Sequence, residues 1–262
     1  MANEIVKYDN RMNNVAFSGY NANELDILFS IVSVMKDKDT DTIELSFEKL
    51  RELANYKQTS NTVFVKDIRT TYKKLLNTSF SFEPKKGVYT EFVLFTEYTV
   101  DTNKQTVKIA VNTKFKEVLN VLANNFTRFE LEEFTNLNGT YSKQLFKLLK
   151  QWKTTGEYTI EINEFRRLMD IPSYYRMSNI DQKVLRPSIK EIQNIEDFKH
   201  LTVTKIKKGR AVDKLVFEFK EWVKPKPTRK NNKIIPKVQY ELDTEEKADP
   251  KAIEEVLAKL KK

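Results

Sequence analysis

Two stretches of this chain run through the same order of elements: helix, short strand, helix, turn, helix, hairpin. In the first, Asn23-Glu24 opens a helical pattern with Leu25, Leu28, Phe29, Val32 and Met35 on one face, and the polar run after Lys36 closes it. Thr42-Ile43-Glu44-Leu45 reads as a short strand, and Ser46 caps a helix carrying Phe47, Leu50 and Leu53. A third helix is expected over residues 62–77, with Phe64, Ile68, Tyr72, Leu75 and Leu76 as its apolar face. Extended segments follow at 79–83, 89–100 and 106–111, separated by Gly87 and by the turn Asp101-Thr102-Asn103, and a helix near 115–122 closes this half.

The second stretch opens with Tyr141, Leu145, Leu148, Leu149 and Trp152 at helical spacing, ended by Gly156. Tyr158-Thr159-Ile160 is a short strand, and Asn163 is positioned to cap a helix carrying Phe165 and Leu168. A turn containing Pro172 leads to a helix from Ser178 to about Asn194, where Ser178 and Asp181 resemble a capping box. Residues 201–207 and 213–219 form a hairpin around Gly209. Helix, helix, turn, helix and β-hairpin in this order describe a winged helix. The expected fold class is α+β, with two tandem winged-helix domains at residues 1–125 and 126–222. The first has an enlarged β-sheet, and a C-terminal tail occupies residues 223–262. Lys224-Pro225-Lys226-Pro227 marks the start of that tail as an extended basic linker, and a short amphipathic helix is expected after Pro250.

Composition narrows the function. The net charge is +9, from 46 Lys+Arg against 37 Asp+Glu, which points to an anionic partner, nucleic acid before membrane. With no cysteine, thiolate zinc sites and thiol nucleophiles are excluded, and one histidine, His200, cannot build a paired-histidine metal site. Five glycines, at 19, 87, 139, 156 and 209, do not compose a phosphate-binding loop. The N-terminal residues lack a signal-peptide core, and residues 25–35 are too short for a membrane span of about 20 residues. A cytoplasmic protein without cofactor, metal or catalytic residues is therefore expected.

The helix from Ser178 offers the clearest surface. At about 100° per residue, Ile180, Val184, Leu185, Ile189 and Ile192 share one half of the wheel. Asn179, Lys183, Arg186 and Lys190 share the other, flanked by Gln182 and Gln193. Arg and Lys can donate to guanine O6 and N7, and Asn and Gln pair with adenine edges. Pro187 should kink this helix. Lys205, Lys207, Lys208 and Arg210 surround Gly209 at the wing tip, a distribution suited to DNA phosphates. In the first half, Lys66, Thr70, Lys73 and Lys74 lie off the core face of the third helix, where Asp67 interrupts them. Lys143, Lys147 and Lys150 form a stripe opposite the apolar face of their helix, either a phosphate contact or an ordinary solvated face. The long strands of the first half leave a spare edge, so a homodimer through that domain is expected.

Three segments carry a resemblance to a known family. They are Tyr141-Ser142-Lys143-Gln144-Leu145-Phe146-Lys147-Leu148-Leu149-Lys150-Gln151-Trp152-Lys153, then Phe165-Arg166-Arg167-Leu168 with Ile171-Pro172 and Tyr175, then Val184-Leu185-Arg186-Pro187 with Ile189-Lys190-Glu191-Ile192. They resemble the iteron-binding plasmid replication initiators of the RepB type, in which Pro187 is an expected residue. The resemblance implies a tandem winged-helix protein that binds double-stranded DNA repeats at a plasmid origin. It further implies origin melting, recruitment of a host initiator and replicative helicase, and repression of its own promoter by dimers. Two other readings stay open on the residues alone: a dedicated transcriptional repressor, and a nickase or polymerase, for which no spaced acidic cluster stands out. The tail lies outside the resemblance.

Overall fold

The computed structural model describes residues 4–36, 42–120 and 126–219. The expected tail, with its linker and short helix, lies outside the described residues. Strand β1 (Ile5–Asp9) leads through a 3-10 turn, Asn10–Asn14, and a loop into helix α1 (Ala22–Met35). The helix begins earlier than its apolar pattern. Asn21, not Asn23, is the cap: its Oδ1 accepts from Glu24 N at 3.0 Å, and Glu24 accepts from Asn21 N at 2.8 Å. Residues all around α1 are buried, including Asp26, Ser30 and Ser33. Ser30 donates to Asp26 O and Ser33 to Ser30 O, so these two serine hydroxyls are satisfied locally.

Strand β2 (Thr42–Ser46), helix α2 (Phe47–Leu53) and helix α3 (Asn61–Leu75) follow, with Ser46 capping α2 as expected. Four strands come next: β3 (Ser79–Lys85), β4 (Val88–Val93), β5 (Phe95–Asp101) and β6 (Thr106–Val111). The strand expected over residues 89–100 is broken at Leu94. This fully buried residue donates its N–H to Thr78 O and accepts from Asn112 N, so the chain crosses there from one sheet to another. As a result β3 and β4 pair as a separate hairpin, while β5 joins the order β2-β6-β5. Helix α4 (Thr113–Asn120) follows.

Strand β7 (Phe126–Glu130) pairs antiparallel with β1, so a strand just past residue 125 completes a sheet begun at the N-terminus. Helices α5 (Leu131–Thr135) and α6 (Thr140–Gln151) lead to β8 (Glu157–Glu161) and α7 (Ile162–Leu168). Asn163 does not cap α7: β8 runs directly into the helix and leaves Glu161 at the cap position with no side-chain bond. Helix α8 (Met177–Ile180), a π-helical turn (Asp181–Leu185) and helix α9 (Arg186–Ile192) run end to end. A 3-10 turn, Glu196–Phe198, precedes the hairpin β9 (Thr202–Lys208) and β10 (Ala211–Glu218), and this sheet has the order β8-β10-β9.

One line of aromatic rings joins the two halves. Phe29 of α1 meets Phe134 at 4.7 Å, Phe129 meets Phe146 of α6 at 5.3 Å, Phe146 meets Phe198 at 5.9 Å, and Phe198 meets Phe219 at 5.1 Å. Such ring pairs stabilise by about 0.5–1.5 kcal/mol beyond their area burial. Helix α6 touches α1, β7 and α9, and so lies between the core of the first half and the last helix of the second.

Candidate nucleic-acid interface

The third helix of the second half is held from inside by Ile180, Val184, Leu185, Ser188 and Ile192. Gln182, Lys183, Arg186 and Lys190 are exposed on its other side. The π turn explains how Pro187 is accommodated. In a regular helix the Pro187 ring would meet the carbonyl four residues earlier, and a backbone donor would be missing. Here Arg186 N–H reaches back five residues to Asp181 O, widening the turn just before the proline. Two expected readers have internal duties. The half-buried Asn179 accepts from Arg176 N at 3.0 Å, which starts the helix at Met177 rather than at Ser178. Gln193 donates to Leu201 O at 2.9 Å, tying the helix end to the wing. Lys183 lies 5.0 Å above the Tyr175 ring.

Beside this helix stands the wing. Lys207, Lys208, Gly209 and Arg210 are exposed at its tip. Lys208 and Ala211 close a two-residue turn in which Gly209 has φ +64°, a conformation side chains resist. Lys205 is half-buried and ion-paired with Asp181 of the π turn, so it joins wing to helix. Replacing Lys207 and Lys208 together by Gln is expected to reduce the salt slope of log K for duplex DNA by about 2 units. Titrations from 50 to 200 mM salt measure this, and an unchanged slope would place the tip away from phosphate.

In the first half, Lys66, Thr70 and Lys73 are exposed on α3 and line an open groove of about 630 Å³ together with Arg69 and Thr102. Arg69 was not singled out from the sequence, although it falls between Lys66 and Lys73 on the same face. Beyond the groove-lining Thr102, Lys104 is exposed at the β5–β6 turn, which Asp101 Oδ1 shapes by accepting from Asn103 N and Lys104 N. Asp67 does not interrupt the groove, because its carboxylate accepts from Tyr56 OH toward the α2–α3 turn. Lys74 is withdrawn from the face. It pairs with Glu24 at 2.6 Å and donates to Gly19 O at 2.7 Å.

The stripe Lys143, Lys147, Lys150 is not on the surface, which corrects the expectation for all three. Their relative exposures are 0%, 2% and 6%. A helical wheel finds the side opposite the apolar face, but α6 is covered on that side too. Lys143 pairs with Asp26 at 2.6 Å and donates to Phe134 O at 2.8 Å. Lys150 pairs with Glu133 at 2.7 Å and Asp197 at 2.6 Å. Lys147 donates to Val15 O at 3.2 Å and lies 4.6 Å above the Phe17 ring. Burial pushes Asp26 up to about 7 against the pull of Lys143, and lowers Lys143 itself. Burial, and then the charge of Arg167, bring Lys147 down to about 7.

Between pH 7 and about 10, Lys147 is therefore neutral in the fold but protonated once unfolded. The unfolded state binds more protons in that window, so this group makes stability rise with pH, by up to about 1.4 kcal/mol per unit. Lys147→Met is expected to remove that rise, as measured by urea unfolding of both proteins at pH 7 and pH 9. Equal pH dependence in the two would contradict the assignment.

The chain entering helix α6 is also held from outside its own segment. Gly139 has no side chain, and a Cβ there would come within 2.7 Å of Ser142 Oγ. Glu191 of α9 accepts instead from Asn138 N at 3.0 Å and Gly139 N at 3.1 Å. Burial opposes its charge, but those bonds and one from Ser142 hold its pKa low. Among the described residues no group of His, Asp and Glu could hold a metal ion, and no helix is long and apolar enough to cross a membrane. His200 is exposed.

Two helix-turn-helix units, each followed by a β-hairpin, define the class as a tandem winged-helix protein. A family model described as Initiator Replication protein, WH1, matches residues 5–150, and one described as Initiator Rep protein, WH2, matches residues 161–219. The chain belongs to the initiator replication protein family. It is 38% identical over 194 residues to a protein of Bifidobacterium longum (strain NCC 2705) described as a probable replication protein rep. That match takes in 73% of this chain and 65% of the relative, so the chain spans just under two thirds of the relative's length. The crystal structure of the Pi initiator protein in complex with iteron DNA shares the fold. Its TM-score is 0.67 at 14% identity, covering 84% of this chain and 98% of that one.

Proposed function

We propose that this chain is an origin-binding replication initiator that acts by binding and deforming duplex DNA, without covalent catalysis. The observation that carries the reading is the second-half surface. Gln182, Lys183, Arg186 and Lys190 stand exposed over a buried apolar face, beside an exposed basic wing tip. This is the geometry in which a helix enters a major groove while a hairpin follows the phosphates. Membership of the initiator family supports the biological role, and the Pi structure, which holds iteron DNA, supports repeated sites as the ligand. On this reading the first-half groove, with Lys66, Arg69, Thr70 and Lys73, contacts a neighbouring stretch of the same repeat.

The protein then works in the cytoplasm, opens the origin, engages a host initiator and replicative helicase, and represses its own promoter as a dimer. The β3–β4 hairpin supports pairing of two copies through the first half. It forms a sheet of its own, and Tyr89 is 79% exposed and Val88 50% exposed on it. Footprinting across the DNA next to the gene tests the reading. Protection of several tandem repeats beside an A·T-rich segment is expected. A single protected inverted repeat at a promoter would make the protein a dedicated repressor. Covalent nicking of supercoiled origin plasmid in the presence of Mg²⁺ would make it an enzyme.

A further inference from the structure

The loop between the Asn10–Asn14 turn and α1 is held by side chains from both helix-turn-helix units. From the second unit, Arg167 Nη2 donates to Asn14 O at 3.1 Å, and Asp170 Oδ2 accepts from Gly19 N at 2.9 Å. From the first unit, Lys74, in the last turn of α3, donates to Gly19 O at 2.7 Å. Gly19 is thus gripped on its N–H by one unit and on its carbonyl by the other. The loop itself cannot slide. Phe17 is 1% exposed and packs on Tyr20 and Phe29 at 5.7 and 6.0 Å, while Lys147 holds Val15 O.

The backbone has positive φ at both ends of this contact, and at Asp170 that conformation closes α7 as Asn55 (φ +48°) closes α2. Gly19 has φ +72°, open to glycine and strained for other residues. Asp170, a non-glycine residue, has φ +52° at the start of the turn between α7 and α8. Its carboxylate reaches Gly19 from that conformation. Neither Asp170 nor Gly19 is buried, so these bonds contribute little to folding. Their geometry instead bears on how the turn of the second unit lies relative to the end of α3.

We propose that this loop is a strut, with Asp170 and Lys74 as positioning residues, that sets the separation between the two DNA-reading helices and so the base-pair spacing one copy of the protein accepts. The proposal rests on the reading of both units as DNA contacts. One base-pair step displaces a contact by about 3.4 Å and by roughly a tenth of a helical turn. A protein that reads two half-motifs must hold its readers to better than that.

The full chain is used to select binders from a random-sequence duplex library, and affinities for the recovered sites are measured by fluorescence anisotropy. The unaltered protein is expected to return two half-motifs at one fixed spacing, and to lose at least tenfold in affinity when one base pair is inserted between them. Asp170→Gly removes the carboxylate while tolerating the positive φ, and Lys74→Met removes the other grip. Each is expected to return the same half-motifs over a range of spacings and to reduce the insertion penalty to less than threefold. Asp170→Asn keeps an acceptor and should restore the single spacing. Unchanged spacing in Asp170→Gly and Lys74→Met overturns the proposal, as does an effect confined to Asp170→Gly, which would reflect a loosened turn. A one-part motif from the unaltered protein also overturns it, while leaving DNA recognition by the second unit intact. No motif at all would instead overturn the initiator reading.

Discussion

Asp26→Ala is expected to destabilise the protein by about 3–5 kcal/mol, the cost of stranding a buried charge. Its partner Lys143 is completely buried and would keep the Phe134 carbonyl, 2.8 Å away, and the face of the Phe134 ring, 4.9 Å away, with no carboxylate bonded to it. Deprotonation limits the loss, because burial already lowers the Lys143 pKa. Lys143→Met should cost less. Asp26 already sits near 7 with Lys143 beside it, so without that lysine the carboxyl takes up a proton at neutral pH. The double variant Asp26→Leu, Lys143→Met is expected to lie within a few kcal/mol of the unaltered protein, on either side, since apolar replacement of a buried pair is often neutral or stabilising. Urea unfolding of Asp26→Leu, Lys143→Met and the double variant closes the cycle. Additive losses would mean that the two groups do not depend on one another.

Arg186→Ala should weaken binding to the selected site by about 1–3 kcal/mol, with a much smaller loss on random duplex. Arg186 follows the π turn on the exposed side of the helix, and buried Val184 and Leu185 anchor the backbone just before it. Its guanidinium can offer two parallel donors to guanine, so Arg186→Lys should recover only part of the loss. Competition binding at fixed salt, with specific and random duplexes, separates the two terms. Equal losses on both would assign Arg186 to phosphate rather than to a base.

The order of elements was legible because each half carries its own periodicities. Leu25, Leu28 and Phe29 recur at helical spacing, and Ile43 and Leu45 alternate into the core. Less was legible where a residue answers to a distant partner. Nothing local to Lys143 announces Asp26, more than a hundred residues away, so a wheel assigned it to solvent. Asn163 has the chemistry of a cap, but the preceding strand consumed the geometry a cap requires. Leu94 reads as one apolar residue in a long strand, and only the bonds to Thr78 and Asn112 show it to be the crossing point between two sheets. Pro187 reads as a residue that removes one helical bond, and the five-residue backbone step from Arg186 to Asp181 that precedes it carries no mark in the local pattern. In the interface, exposure was readable for Arg186 and Lys190. The internal duties of Asn179, Gln193, Lys205 and Lys74 required their partners to be seen.

The sharing of α6 between the halves bears on attempts to retarget such a protein. A chimaera joined between α5 and α6 would separate Phe129 from Phe146 and part three lysines from the carboxylates and carbonyls that hold them. Exchange of whole modules therefore carries the solubility and folding problems of an opened core. A graft limited to Gln182, Lys183, Arg186 and Lys190 leaves every one of those contacts in place. If the proposed reading of that small outer face holds, new sequence preferences are best sought there, with the shared helix left unchanged.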